Sequence, residues 1–79
     1  MLEIEYVKWV DSCYKNGWHS DDYEHYRIAT CETIGIIAKE TDDFLSIALS
    51  KCIEDGALCD VMTIPKLSIL KRQTYVLGK

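Results

Sequence analysis

Residues 42–55 read DDFLSIALSKCIED, and the fold turns on whether this run is a strand or a helix. Apolar residues at 44, 45, 48, 49, 52 and 53 fall close to a 3.6 period, as an amphipathic helix requires. The same run also alternates, with Leu45, Ile47 and Leu49 set against Phe44, Ser46, Ala48 and Ser50. Its brackets decide for the strand. The polar turn Thr41-Asp42-Asp43 precedes it and Asp55-Gly56 follows, which leaves a hairpin-length segment between two turn signals.

Working outward, TCETIGIIAKE (residues 30–40) reads as the preceding strand, with Ile34, Ile36 and Ala38 on one face and Thr33, Ile37 and Lys39 on the other. Gly35 inside it marks a bulge or sharp bend, which a small sheet needs in order to curl. After Asp55-Gly56, LCDVMTI supplies a fourth strand. Pro65 stops that ladder, because it lacks an N–H and holds Ile64 extended. LSILKRQTYV is the last strand. At the N-terminus, LEIEYVKWV alternates Ile4 and Tyr6 with Glu3 and Glu5, the pattern of a half-buried strand.

Between the first two strands lies DSCYKNGWHSDDYEHYR (11–27), where SDDYEHY has capping-box spacing from Asp21 to Glu24 and predicts a short helix. The expected fold is mainly β: a single domain over residues 1–79, a five-stranded barrel with one short helix in its first long loop.

Composition narrows the function. The chain is 48% hydrophobic and 28% charged, ordinary for a folded domain. At 79 residues it makes a small core, so self-association is expected. The N-terminus shows no basic and apolar leader and no segment has the length of a bilayer span, so a cytoplasmic protein without membrane contact is expected. In a reducing compartment Cys13, Cys31, Cys52 and Cys59 are expected as free thiols. Net charge is −4, but residues 65–79 hold Lys66, Lys71, Arg72 and Lys79 with no acid. Broad nucleic-acid binding is not expected, and a basic strip at Lys66, Lys71 and Arg72 is the one place for an anion.

Chemistry-bearing clusters read more plainly as structure. Cys13, His19, His25 and Cys31 are a zinc-type inventory, but each neighbouring pair is six residues apart, too far for one turn to present both. No metal and no cofactor is expected. Cys13 or Cys31 with His19 or His25 lacks the electropositive setting that activates a thiol. Asp21, Asp22 and Glu24 suit a helix start. No catalytic residue is assigned, and the chain is read as a non-enzyme. The aromatic set offers two readings: Trp9 in the core with Trp18 closing one end, or a ligand-contacting turn. The second gives the candidate partner-binding residues Tyr14, Asn16, Trp18, His19 and Tyr23.

Two resemblances add to this. VMTIPKLSILK (61–71) resembles the end of SH3-like and Sm-like barrels, where a strand ending in Ile-Pro enters one 3₁₀ turn before the last strand. KWVDS, GWHS, CETIG, DDFLSIALS and MTIPKLSI, spread over residues 7–70, are similar to small uncharacterised bacteriophage and prophage proteins. This resemblance implies an origin in mobile DNA, where small proteins often act on host machinery or defence systems, and it brings no activity with it; the partner expected here is a host protein or a small nucleotide. The aromatic groove of peptide-binding SH3 domains is missing, as are the RNA loop and the Arg-Gly motif of Sm proteins, where Ile64-Pro65-Lys66 stands instead. Neither ligand specificity carries over.

Overall fold

The computed structural model describes residues 2–12, 17, 18, 20 and 27–78. Five strands, β1 (Leu2–Asp11), β2 (Ala29–Glu40), β3 (Phe44–Lys51), β4 (Leu58–Pro65) and β5 (Ile69–Leu77), pair antiparallel in the order β4-β3-β2-β1-β5. The run 44–51 is therefore strand. Its turns are built from the polar residues that bracket it. Thr41 Oγ1 accepts from the N–H groups of Asp43 and Phe44 at 3.1 Å, and Asp55 Oδ1 accepts from Ala57 N–H at 2.9 Å beside Gly56 at φ 76°. The single 3₁₀ turn expected after Ile64-Pro65 spans Lys66–Ser68, and Lys66 N–H donates to Asp43 O at 2.9 Å.

β2 organises the sheet because it changes partner at Gly35. Before that point it pairs with β1, from Asp11↔Ala29 to Glu5↔Gly35; beyond it, Ile36 to Glu40 pair with β3. A Cβ on Gly35 would lie 2.5 Å from Ala48 O and from Ile47 Cγ2, so only glycine lets β3 approach here. A bulge between Ile37 and Lys39 adds twist. Strands β5, β1 and the first half of β2 thus form one curved layer, and the second half of β2 with β3 and β4 folds over it.

Between the layers sit Val7, Trp9, Leu45, Ile47 and Ile64, with Cys31, Ile37 and Ile69 packed against them. Each fully buried aliphatic contributes on the order of 2 kcal/mol. A hydrogen-bond chain crosses the same space: Trp9 Nε1 donates to Thr33 Oγ1 at 2.9 Å, and Thr33 Oγ1 to Met62 Sδ at 3.9 Å. Trp9 is in the core, as one sequence reading had it.

Three expectations need correction or restriction. Among the described residues β4 and β5 do not pair, so the five-stranded sheet is open and not a closed cylinder. The half-buried face of β1 is not the one with Ile4 and Tyr6. It is Glu5, Val7 and Trp9 that point inward, and Glu5 is only 1% exposed. The short helix expected over 20–26 falls on residues 21–26, which lie outside the described residues.

The core takes up only part of the sheet. From Leu49 to Thr63 every residue is exposed, and so is every residue from Gln73 to Gly78. The radius of gyration is 16.3 Å, against about 12 Å for a compact chain of this length. Accessible surface is 6310 Å², where a compact monomer of 9.1 kDa shows about 4,900 Å².

Candidate binding surface

The face of the β5-β1-β2 layer turned away from the core is apolar. Register places Leu2 opposite Leu77, Ile4 opposite Tyr75, and Tyr6 opposite Gln73 on one side and Ile34 on the other. Leu2, Ile34, Tyr75 and Leu77 are exposed, Ile34 by 62%. One strand apart and on one face, these side chains form a continuous patch, with Glu32, Lys8, Lys71 and Gln73 as its polar rim. Tyr6 Oη donates to Glu32 Oε2 at 2.7 Å. That hydrogen bond, with some burial and the nearby carboxylate charge, raises the Tyr6 phenol above its ordinary pKa, so the ring stays neutral.

The patch runs into a cleft. Where β2 passes from β1 to β3, the start of β1 and the end of β3 diverge on either side of Ile36. The V-shaped space between them, about 510 Å³, is lined by Leu2, Ile36, Leu49, Ser50, Lys51 and Ile53. Ile53, at the hairpin tip, is 92% exposed. A concave apolar site with a few polar groups at its mouth suits an apolar side chain or small molecule.

Of the candidate loop residues, Trp18 is described and stands fully in solvent, so it does not close an end of the core. Gly17 beside it has φ 81°, the left-handed geometry of a turn. Tyr14, Asn16, His19 and Tyr23 lie outside the described residues.

The basic strip is partly neutralised from within. Arg72 Nε donates to Glu5 Oε2 at 2.7 Å and Nη1 to Glu40 Oε2 at 2.8 Å, while Lys66 Nζ is 2.7 Å from the same Glu40 oxygen. Thr74 Oγ1 donates to the other oxygen of Glu5. Hydrogen bonds from Arg72 and Lys66 lower the Glu40 carboxyl to about 2, and the hydrogen bonds to Glu40 and then Glu5 raise the Arg72 pKa. Lys71 is different. It is exposed on the outer face, directly opposite Lys8 of β1.

Cys31, Cys52 and Cys59 are free thiols, and Cys52 Sγ donates to Glu54 Oε1 at 3.3 Å. Cys13, His19 and His25, three of the four residues weighed as zinc ligands, lie outside the described residues. Among the described residues no group of three His, Cys, Asp or Glu is placed to hold a metal ion, and no helix is long and apolar enough to cross a membrane.

Sequence reasoning missed the outer patch and the cleft. For the patch the signal was there, since Leu2, Ile4 and Tyr6 alternate with a second apolar set, Val7 and Trp9, so β1 has two greasy faces and only one can face the core. Comparison with known proteins finds no matching family model, no matching curated protein and no matching solved structure.

Proposed function

We propose that this chain is a small non-enzymatic binding protein whose open five-stranded sheet is a variant of the SH3-like or Sm-like type, phage-encoded, that occupies or sequesters a component of the host cytoplasm, in a counter-defence role. The continuous apolar patch leading into the Leu2–Leu49–Ile53 cleft carries this reading. Exposed apolar area of this kind is the surface a protein partner covers, and Trp18, wholly in solvent beside the Gly17 turn, is a second anchor of the type that dominates interface energies. A second reading, an oligomeric sponge for a small nucleotide, draws on Lys8 and Lys71. Two ammonium groups directly opposite each other repel, and an anionic group between them relieves that repulsion, with the Tyr6 ring next along the strand. An RNA-binding ring has less support, because Glu5 and Glu40 already hold Arg72 and Lys66.

Capture from bacterial lysate, followed by reconstitution with the purified partner, tests the first reading. The wild-type chain should form a complex of fixed stoichiometry, and Ile34→Glu should weaken it at least tenfold, with Trp18→Ala weakening it less. Full-strength binding by both variants would remove the patch and the loop from the site. Retention of a nucleotide that Lys8→Glu releases, and that falls steeply with salt, would move the assignment to the sponge.

A further inference from the structure

We propose that the chain dimerises about a two-fold axis through Gln73, its β5 strand pairing antiparallel with β5 of a second copy to make one ten-stranded sheet. Among the described residues the sheet has two open edges, and they are not equivalent. β4 is broken by Asp60, a non-glycine residue at φ 57° that interrupts the ladder between Cys59 and Val61 and puts a carboxylate on the edge. A charged bulge of this kind blocks strand addition. β5 has no proline, glycine or left-handed residue between Ile69 and Leu77, and register with β1 is regular from Lys71 to Leu77.

A strand that pairs with its own copy must oppose residues of the same face, so the dyad passes through one residue and sets all other pairs. A dyad at Lys71 or Arg72 would oppose like charges. At Gln73 the carboxamide faces its own copy and is self-complementary, because each amide offers an N–H₂ donor and an oxygen acceptor. Gln73 is also the central residue of β5, so the overlap is complete. Lys71 then lies against the partner's Tyr75 ring, a cation–π arrangement, and Arg72 against the partner's Thr74. Leu70, bulged out of the β1 register and 60% exposed, meets the partner's Val76. Arg72 does not repel an incoming edge, since Glu5 and Glu40 neutralise it. The accessible surface exceeds that of a compact chain of this mass by more than the roughly 800 Å² per partner that a standard interface buries. This inference is independent of which host component is bound.

Cysteine cross-linking reads the register directly. Directly opposed residues of an antiparallel pair have Cα atoms about 4.5–5.5 Å apart, within disulfide range. Gln73→Cys should therefore link to itself under mild oxidation, giving in mass spectrometry two copies of the same peptide joined at the substituted position. Lys71→Cys, roughly 14 Å along the strands from its own copy, should not, whereas a mixture of Lys71→Cys and Tyr75→Cys should. Light scattering of the unmodified chain should give twice 9.1 kDa, and Gln73→Lys, which places two cations on the axis, should raise the dissociation constant at least tenfold. A monomer at every concentration, a dimer indifferent to Gln73→Lys, or linking confined to β4 positions would overturn the proposal.

Discussion

Glu5 carries a carboxylate to a position only 1% exposed, and it is tolerated because both oxygens are bonded, one to Arg72 Nε and the other to Thr74 Oγ1. Removing the cation alone leaves that charge buried and half satisfied. Arg72→Met should cost about 2–3 kcal/mol in urea unfolding at neutral pH, and Glu5→Leu combined with Arg72→Met should recover most of it. If the double variant is no more stable than the single, the two side chains are not coupled. Glu40 adds a pH dependence whose sign is fixed. Its folded pKa, about 2, lies below the ordinary 4.5, so the contribution is present above 4.5 and is lost as pH falls from 4.5 towards 2. Glu40 is exposed, so the effect is small. Glu40→Gln should flatten that part of the thermal midpoint against pH, and an unchanged acid limb would exclude the contact as its source.

At the scale of the element, β2 is decisive, and Gly35 is its hinge. Because a Cβ there meets a β3 carbonyl and a buried Ile47 methyl, Gly35→Ala should destabilise the fold by about 1–3 kcal/mol, and Gly35→Val by more, measured by thermal or urea unfolding. An Ala variant as stable as wild type would mean that β3 can withdraw without loss. This position was legible beforehand, since a glycine within an Ile-rich strand signals a bend. The strand limits around Asp42–Asp55 were legible for the same local reason. The helical period in that run lost because Leu45 and Ile47 gain more by packing on Ile64 and Val7 across two strands than a short isolated helix could hold. Of the binding-site expectations, Trp18 was the aromatic that stands in solvent. The cleft was not legible, because it arises from three strands parting, and no spacing within one of them encodes that.

The whole molecule is long, 55 × 23 × 21 Å, and its buried core is the small cluster of Val7, Trp9, Leu45, Ile47 and Ile64. Two exposed arms extend beyond that core and flank the cleft: the β3-β4 hairpin with Leu49, Ile53, Leu58, Val61 and Met62, and the paired ends of β1 and β5 with Leu2, Tyr75, Val76 and Leu77. In the proposed β5 dimer, association adds stability by mass action, because a ligand of the folded state shifts the unfolding equilibrium. The thermal midpoint should therefore rise with protein concentration, and it should cease to do so in Gln73→Lys. A midpoint independent of concentration in the unmodified chain would mean that the arms stay in water.

Strand positions, turns, the glycine bend and the proline stop were determined by the sequence itself, because each rests on backbone preferences acting over a few residues. Which face of β1 is inside was decided only by the tertiary structure. Alternation marks two faces without ranking them, and the ranking came from Arg72, 67 residues away from Glu5, whose guanidinium makes a buried carboxylate stable and so leaves Ile4, Tyr6 and Ile34 on the outer face.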